Sequence, residues 1–213
     1  NLYSRLPHKG RAAGAGGIAR RRGTLLRRGL SARKGQKLPM KKRVLLCLIA
    51  LFKVLYGAVY APLKLLPMQR KVVMISRQSN KLRPDFEQIG AVLAKRDPSV
   101  RIVYLCRMIG DTLPERIGYG FHLLRCAAQL ATASVCIVDG YCIPVSMLKH
   151  RPGLRIVQVW HALGAVKKFG RQALAVPAGR DKDIAEHMGM HRNYDCVLCA
   201  SRRTAKIYGE AFG

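Results

Sequence analysis

The hydrophobic positions of residues 71–213 form short apolar runs separated by segments with a helical period. The runs are nearly continuous and rich in β-branched residues, which is typical of parallel strands covered by helices on both faces. Five runs have this character: KVVMIS (71–76), RIVYLC (101–106), SVCIVDG (134–140), RIVQVWH (155–161) and DCVLCAS (195–201).

Helical periods lie between the first three runs. PDFEQIGAVLAKRD, which begins at Pro84, and YGFHLLRCAAQLAT (119–132) each predict an amphipathic helix. The first of these helices groups its apolar side chains on one face, with Phe86, Ile89, Val92 and Leu93. This β-α-β succession predicts an α/β fold with a doubly wound, Rossmann-like parallel sheet over residues 69–213. No GxGxxG sequence follows any run, so the usual dinucleotide fingerprint is absent.

A long apolar segment, residues 44–66, precedes the predicted sheet. It is as long as a membrane-spanning helix, which needs about 20 apolar residues, yet Lys53 lies near its centre. The basic residues and their small or polar neighbours fall near one line at about 100° per residue. They are Lys42, Lys53, Lys64, Gly57 and Tyr60. Such a narrow polar stripe predicts a membrane-associated helix within residues 40–68, with its lysines toward anionic headgroups. A spanning helix, a buried core helix and a signal peptide are the alternatives.

The positive charge is concentrated at the N-terminus. The formal net charge is +28, and residues 1–84 hold 21 Lys and Arg with no Asp or Glu. Residues 1–39 are rich in Gly, Ala and Arg and lack an apolar period, so we expect a disordered basic extension. Met40 would make a plausible natural start. The alternative is a basic arm that binds RNA or anionic lipid, although no RNP-like element is present and no specific nucleic acid is expected.

The seven cysteines are scattered through apolar segments, which indicates buried thiols in a reducing compartment such as the cytosol. Cys196 and Cys199 have CxxC spacing, but they lie in a predicted strand, where residues three apart face opposite sides. A metal or redox site there is therefore disfavoured. The metal requirement stays open, since no carboxylate cluster suited to Mg²⁺ is visible in the sequence.

Polar residues follow four of the predicted strands, and in open parallel sheets ligands bind at this carboxyl edge. The candidate site residues among them are Arg77, Asp139, Trp160, His161 and Ser201. His161 has the strongest case because an ordinary histidine pKa of about 6.5 leaves a neutral imidazole that can accept a proton from a hydroxyl. Capping of the following segment by the imidazole is the alternative. Gly164 allows a tight turn after His161, and Lys167 and Lys168 are candidate phosphate ligands.

The stretch IVQVWHALGAVKKFG, followed by HMGMHRNYDCVLCAS and then GEAFG, resembles the CDP-glycerol glycerophosphotransferase family of bacterial teichoic-acid synthesis. The family signature is Gln-x-Trp-His-(Gly/Ala)-x-Gly/Pro-x-x-Lys-Lys-x-Gly. VVMISRQSNKLRPDF and SVCIVDGYCIPVS are similar to the family as well, so the resemblance covers about residues 40–213. Ala162 stands where many members have Gly.

The resemblance implies the N-terminal, acceptor-side domain of a GT-B-type transferase at the cytoplasmic face of the bacterial plasma membrane, held there peripherally or by a single helix. The reaction would transfer glycerol phosphate from CDP-glycerol to a lipid-linked saccharide or polyol-phosphate acceptor and release CMP, with His161 as the base and no cofactor. The resemblance also implies a C-terminal donor domain that this sequence lacks, so we expect the chain alone to be inactive. A ribitol-phosphate transferase, a nucleotide-sugar glycosyltransferase and a non-catalytic membrane- or RNA-binding module are the alternatives.

Overall fold

The computed structural model describes residues 38–162, 168–175 and 181–213. Most of the predicted basic extension, residues 1–37, lies outside the described residues, and so do Gly164 and Lys167. Residues 46–213 form one unit, which contains the sheet.

Helices and strands alternate along the described chain. The helices are α1 (Met40–Leu63), α2 (Pro84–Arg96), α3 (Leu113–Ala131), α4 (Ile143–Met147), α5 (Lys182–His187) and α6 (Arg202–Phe212), with a 3₁₀ segment at Gly170–Ala175. The strands are β1 (Lys71–Ser76), β2 (Arg101–Cys106), β3 (Val135–Val138), β4 (Arg155–Gln158) and β5 (Cys196–Val197).

The five strands form one parallel sheet in the order β2-β1-β3-β4-β5. This confirms the predicted α/β fold with a parallel sheet. The chain passes from β2 back across β1 to reach β3, so the direction of strand addition reverses between β1 and β3. Ligands bind at the carboxyl ends of the strands beside such a switch point, because the loops there diverge and leave a crevice.

Strand β1 separates two layers of core side chains. Val73 and Ile75 join the larger apolar cluster, to which α1, α3 and α4 contribute. Val72 and Met74 join a second cluster around Phe86 of α2. Successive residues of a strand point to opposite faces, so a fully buried strand fills both layers, as its continuous apolar run predicts.

The predicted bounds are correct for β1 and β2 and too long for the later strands. The chain leaves the β conformation soon after β4 ends at Gln158, since Trp160 has a φ of 58°. Helix α3 begins at Leu113, six residues before the predicted start, because Thr112 and Glu115 form a capping box. Val92 is not on the buried face of α2 and is 53% exposed.

Helix α1 is apolar enough and long enough to cross a membrane, by its length and composition alone. Tyr56 and Tyr60 are its most buried residues, and both hydroxyls reach other elements. The Tyr56 hydroxyl donates to the Leu123 carbonyl of α3 at 2.6 Å, and Tyr60 Oη lies 3.0 Å from His150 Nδ1. These contacts attach α1 to the sheet unit by one face.

Two residues on or near the polar stripe of α1 contact other parts of the protein, and the orientation of its lysines toward lipid headgroups stays a prediction. Tyr60, which lies on the stripe, faces the protein core and is 1% exposed. Lys64 follows the helix, and its Nζ donates to the Lys149 carbonyl at 3.1 Å. The opposite face of α1 exposes apolar side chains: Leu48, Leu51, Phe52, Leu55 and Val59.

Three of the seven cysteines, Cys126, Cys136 and Cys142, are buried as predicted. Burial raises the pKa of the Cys142 thiol to about 12, so this thiol stays protonated at neutral pH. The prediction is wrong for Cys47, which is exposed on α1. The CxxC pair is half-buried, and Cys199 lies beyond the end of β5.

Candidate functional site

The carboxyl ends of β1, β3 and β4 lie level at the switch point. Ile75 pairs with Val138, and Val138 pairs with Gln158, so the residues that follow these strands emerge side by side. The structure therefore brings together Asp139 and His161, which were both predicted at the carboxyl edge of the sheet, along with Ser76 at the end of β1.

Asp139 is a buried carboxylate held by two neighbours. Ser76 Oγ donates to Asp139 Oδ2 at 2.6 Å, and Arg83 Nε lies 3.4 Å from the same oxygen. The side chain of Asp139 is 1% exposed. Desolvation raises the pKa of this carboxyl above its ordinary value, although the Ser76 hydrogen bond, Arg83 and His161 act in the opposite direction. Its burial and its hydrogen bond to Ser76 make Asp139 a structural anchor of the site, and its proposed contact with acceptor or phosphate stays a prediction.

His161 is exposed and is oriented by a backbone carbonyl. Its Nδ1 lies 2.8 Å from the Asp139 carbonyl oxygen. A carbonyl can only accept a hydrogen bond, so Nδ1 carries the proton in the neutral ring and Nε2 carries the lone pair. Among the residues that the structure describes, Nε2 has no hydrogen-bond partner. The geometry thus presents Nε2 as a proton acceptor at the edge of the sheet.

Trp160 supports the His161 ring. The two ring centroids are 4.0 Å apart and the planes are inclined by 38°. On its other side the indole stacks on Phe169, with centroids 4.8 Å apart. Trp160 is half-buried in these contacts, so it restricts the imidazole and belongs to the structure of the site.

An aromatic cluster joins the site to the C-terminal part of the described chain. Phe169, Tyr208 and Phe212 are buried together, and Trp160 packs against them. The Tyr208 hydroxyl donates to the Ala162 carbonyl at 2.7 Å, directly after His161 in the chain. Helix α6 therefore packs against the segment that carries His161 and is hydrogen-bonded to it.

Arg77 follows β1 and points toward the turn after β3. Its Nη1 donates to the Tyr141 carbonyl at 3.2 Å, and its guanidinium carbon lies 5.5 Å from the Tyr141 ring centroid. Its buried Nε has no hydrogen-bond partner among the described residues. Arg77 thus brings a positive charge to the same edge of the sheet as His161.

The remaining predicted residues are less closely tied to this edge. Ser201 is the N-cap of α6, where its hydroxyl accepts from the Thr204 backbone N–H. Its oxygen is engaged in that cap, which accounts for its polarity at the end of β5. Lys168 is exposed. Gly164 and Lys167 are outside the described residues, so their roles stay predictions.

Three residues of the site, Ser76, Arg83 and Gln158, were not predicted. Ser76 belongs to the polar strand end that includes Arg77, so its position offered a signal. Gln158 offered one as well, because a polar residue within an apolar strand needs a partner inside the protein. No sequence signal pointed to Arg83, because it lies seven residues after β1 and only the fold brings it to Asp139.

A metal site is not apparent within residues 38–162, 168–175 and 181–213, where no group of three His, Cys, Asp or Glu side chains is placed to hold a cation. What the described side chains do offer is a proton acceptor, a buried anchor and a cation. This combination suits the transfer of a charged group to a hydroxyl.

Comparison with known proteins gives the family. Residues 60–213 match the family described as CDP-Glycerol:Poly(glycerophosphate) glycerophosphotransferase. The teichoic acid ribitol-phosphate primase of Bacillus spizizenii is 34% identical over 167 residues, which are 78% of this chain and 43% of the relative. The teichoic acid glycerol-phosphate primase of Bacillus subtilis is 30% identical over 92 residues, which are 43% of this chain and 24% of that relative.

A solved structure of the wall teichoic acid polymerase TagF has a similar fold. The TM-score is 0.51 at 12% sequence identity, with 82% of this chain and 45% of the TagF chain covered. The chain thus spans less than half the length of these relatives. The match over residues 60–213, which contains the whole sheet and the His161 site, shows that the chain belongs to the CDP-glycerol:poly(glycerophosphate) glycerophosphotransferase family.

Proposed function

We propose that this chain forms the acceptor-side part of a transferase that moves glycerol phosphate from CDP-glycerol to a hydroxyl of a lipid-linked wall-polymer acceptor, releasing CMP. One observation carries the proposal. His161 is fixed through Nδ1 to the Asp139 carbonyl at the switch point, and its Nε2 has no hydrogen-bond partner among the described residues. The family membership supports the reaction class.

The proposed step is an in-line displacement at phosphorus. The acceptor oxygen forms a bond to the phosphorus that carries the glycerol, and the bond from this phosphorus to the bridging oxygen of the diphosphate breaks. CMP leaves with the bridging oxygen, and the hydroxyl proton passes to His161 Nε2. Because the phosphoryl group gains little covalent assistance, position and positive charge supply most of the catalysis.

Basic side chains near the edge supply that charge in this proposal. Arg77 reaches the same edge as His161, and Lys167 and Lys168 follow the histidine in sequence. Arg83 is less available, since its Nε pairs with both Asp85 and Asp139. The proposed phosphate contacts are therefore Arg77, Lys167 and Lys168.

A membrane surface is the proposed location of the enzyme, at its cytoplasmic face. The outward face of α1 exposes a row of apolar side chains that includes Leu48, Leu51 and Leu55, while its inner face packs on α3. A helix of this kind binds at the boundary between headgroups and acyl chains. The position suits a lipid-linked acceptor because the acceptor is confined to the same surface.

The donor side belongs to the proposal as well. A GT-B arrangement has a second Rossmann-like domain that binds the nucleotide, and the greater length of the relatives leaves room for such a domain. In that arrangement CDP-glycerol would approach His161 from the facing domain. The transferring phosphoryl group would then lie between the two domains.

Ribitol phosphate is the second candidate for the transferred group. The ribitol-phosphate primase matches 78% of this chain at 34% identity, whereas the glycerol-phosphate primase matches 43% at 30% identity. The described site contacts the acceptor in this proposal and leaves the choice of donor to the other domain. The two donors must therefore be compared directly.

The test measures CMP release and polyol-phosphate incorporation by a protein completed to the length of its relatives. CDP-glycerol and CDP-ribitol are supplied separately, with a lipid-linked acceptor in vesicles. The proposal predicts acceptor-dependent release of CMP in a one-to-one ratio with incorporated glycerol phosphate. Turnover with CDP-ribitol alone would favour the second candidate. A folded protein that releases no CMP from either donor would contradict both and favour a non-catalytic membrane-binding module.

A further inference from the structure

A buried carboxamide, that of Gln158, precedes His161 by three residues in the chain. Gln158 is the last residue of β4, and it is 0% exposed. A buried amide costs free energy unless both its donor and its acceptor are satisfied, so its partners indicate what it does.

The Gln158 side chain bridges two strand ends. Its Nε2 donates to the Gly140 carbonyl at 3.1 Å, and its Oε1 accepts from the Trp160 backbone N–H at 2.9 Å. The Tyr194 hydroxyl lies 3.5 Å from the same Gly140 carbonyl. One side chain thus fixes the turn after β3 and the turn after β4 relative to each other.

Both turns affect the position of the His161 ring. The Asp139 carbonyl, which accepts from His161 Nδ1, is one peptide away from the Gly140 carbonyl that Gln158 holds. Trp160 has a φ of 58°, a left-handed conformation that side chains larger than Gly rarely adopt. The hydrogen bond from the Trp160 N–H to Gln158 holds this conformation, and it directs the next residue, His161, back toward Asp139.

We propose that Gln158 is a positioning residue for His161. Its carboxamide sets the two turns so that Nδ1 meets the Asp139 carbonyl and Nε2 is left as the proton acceptor. The catalytic meaning of this arrangement rests on the proposed transferase function, but the effect on the ring of His161 does not.

The bridge needs a glutamine at this position. Glutamate has the same length and can still accept from Trp160, but its carboxylate has no hydrogen to donate to Gly140. Leucine has a similar size and makes neither bond. Gln158→Glu therefore tests the loss of the donated hydrogen bond alone, and Gln158→Leu tests the loss of both hydrogen bonds.

The test observes the tautomer of His161 in the full chain by long-range ¹H–¹⁵N NMR of the ¹⁵N-labelled protein. His161→Gln identifies the signal by its loss. We expect the Nδ1–H tautomer to dominate in the parent protein, and the Nε2–H tautomer to become the major form in Gln158→Glu and Gln158→Leu. Gln129→Leu is the matched control. It removes a partly buried hydrogen bond from Lys71, at the amino end of β1, to the side-chain amide of Gln129, and it should leave the His161 signal unchanged.

Three results would overturn the proposal. The first is a parent protein in which the Nδ1–H tautomer of His161 is not dominant. The second is two folded variants that keep the parental tautomer. The third is loss of folding in both variants, because Gln158 would then have a general structural role. The NMR result does not depend on any transfer reaction, so it fails or succeeds separately from the proposed function. If the transfer is confirmed, kcat of the completed Gln158→Leu enzyme should fall about tenfold or more, while KM for the donor changes less than about twofold.

Discussion

At the scale of single residues, the candidate base is oriented by a backbone carbonyl while the carboxylate of the same residue is buried below it. The Asp139 carbonyl accepts from His161, and the Asp139 carboxylate accepts from Ser76. The carboxylate therefore contributes to the position of the peptide whose carbonyl orients the imidazole.

The buried Asp139 carboxyl predicts a pH dependence of stability. Desolvation raises its pKa in the folded state above the ordinary value, so the folded state binds more protons than the unfolded state between the two pKa values. The free energy of unfolding should therefore decrease as pH rises through that range. Asp139→Asn removes this contribution. Its stability relative to the parent should increase as pH rises from about 3.5 to 7, as measured by urea unfolding.

Asp97→Asn is the control with the opposite sign. Hydrogen bonds from Ser99, followed by the Arg70 charge, lower the pKa of Asp97, which is on the surface. The stability of this variant relative to the parent should fall as pH rises through the acid range. A shift in the same direction for both variants would contradict the assignment of the two carboxyls.

The sequence locates the chemistry of this edge better than it assigns roles to its residues. Polar residues after buried strands pointed to Asp139 and His161, and the structure brings both to the switch point. The same pattern pointed to Ser201, which caps α6, because a residue that follows a strand can also begin a helix. The bridging role of Gln158 depends on two turns that meet only in the folded chain.

At the scale of elements, α1 has two faces with different environments. Tyr56 and Tyr60 attach the inner face to the sheet unit, while the outer face is apolar and exposed. Cys47 belongs to the exposed residues of this helix and provides a natural probe of what covers it.

We expect vesicles containing anionic lipid to slow maleimide labelling of Cys47 several-fold, because lipid would cover the outer face of α1. The matched control is Val92→Cys in a Cys47→Ser background. Val92 is exposed on α2, whose buried side packs in the other layer of the core. Its labelling should be unaffected by the vesicles. Equal effects of vesicles at the two sites, or none at Cys47, would contradict the membrane-facing assignment.

The junction between the 3₁₀ segment and α6 depends on a glycine. Gly170 has a φ of 56°, and a side chain at this position would collide with the Ala211 carbonyl of α6. Gly170→Ala should therefore destabilise the fold by about 2 kcal/mol, measured by thermal or urea unfolding. Gly209→Ala is the control, since a methyl group there meets no atom within 4 Å in the middle of α6. It should stabilise the fold by up to about 1 kcal/mol.

Element types followed from the sequence, but several boundaries did not. The apolar run of β4 continues beyond the last paired residue, because the turn at Trp160 is imposed by hydrogen bonds and aromatic packing. The start of α3 was hidden because Leu113–Gly118 mixes charged residues with glycine, and the capping box at Thr112 outweighs this weak period. Helices α4 and α5 are too short to give a period.

At the scale of the whole molecule, the order of the strands determines which loops meet. Periodicity predicts five strands but does not say that β1 lies between β2 and β3. That arrangement creates the switch point and brings Ser76 against Asp139 across two strands that are far apart in the sequence. The resemblance to the family implied a Rossmann-like domain without its strand order, and the match over residues 60–213 confirms the family.

The transferase account depends most on His161, and its replacement by alanine is the direct test. In an enzyme completed to the length of its relatives, His161→Ala should lower the rate of polyol-phosphate transfer by about 100-fold or more, with an unchanged unfolding midpoint. His187→Ala should keep the parental rate: the Nδ1 of His187 also bonds a backbone carbonyl, but His187 belongs to α5 and is not part of the site at the carboxyl edge. Transfer by folded His161→Ala within about threefold of the parental rate would contradict the account.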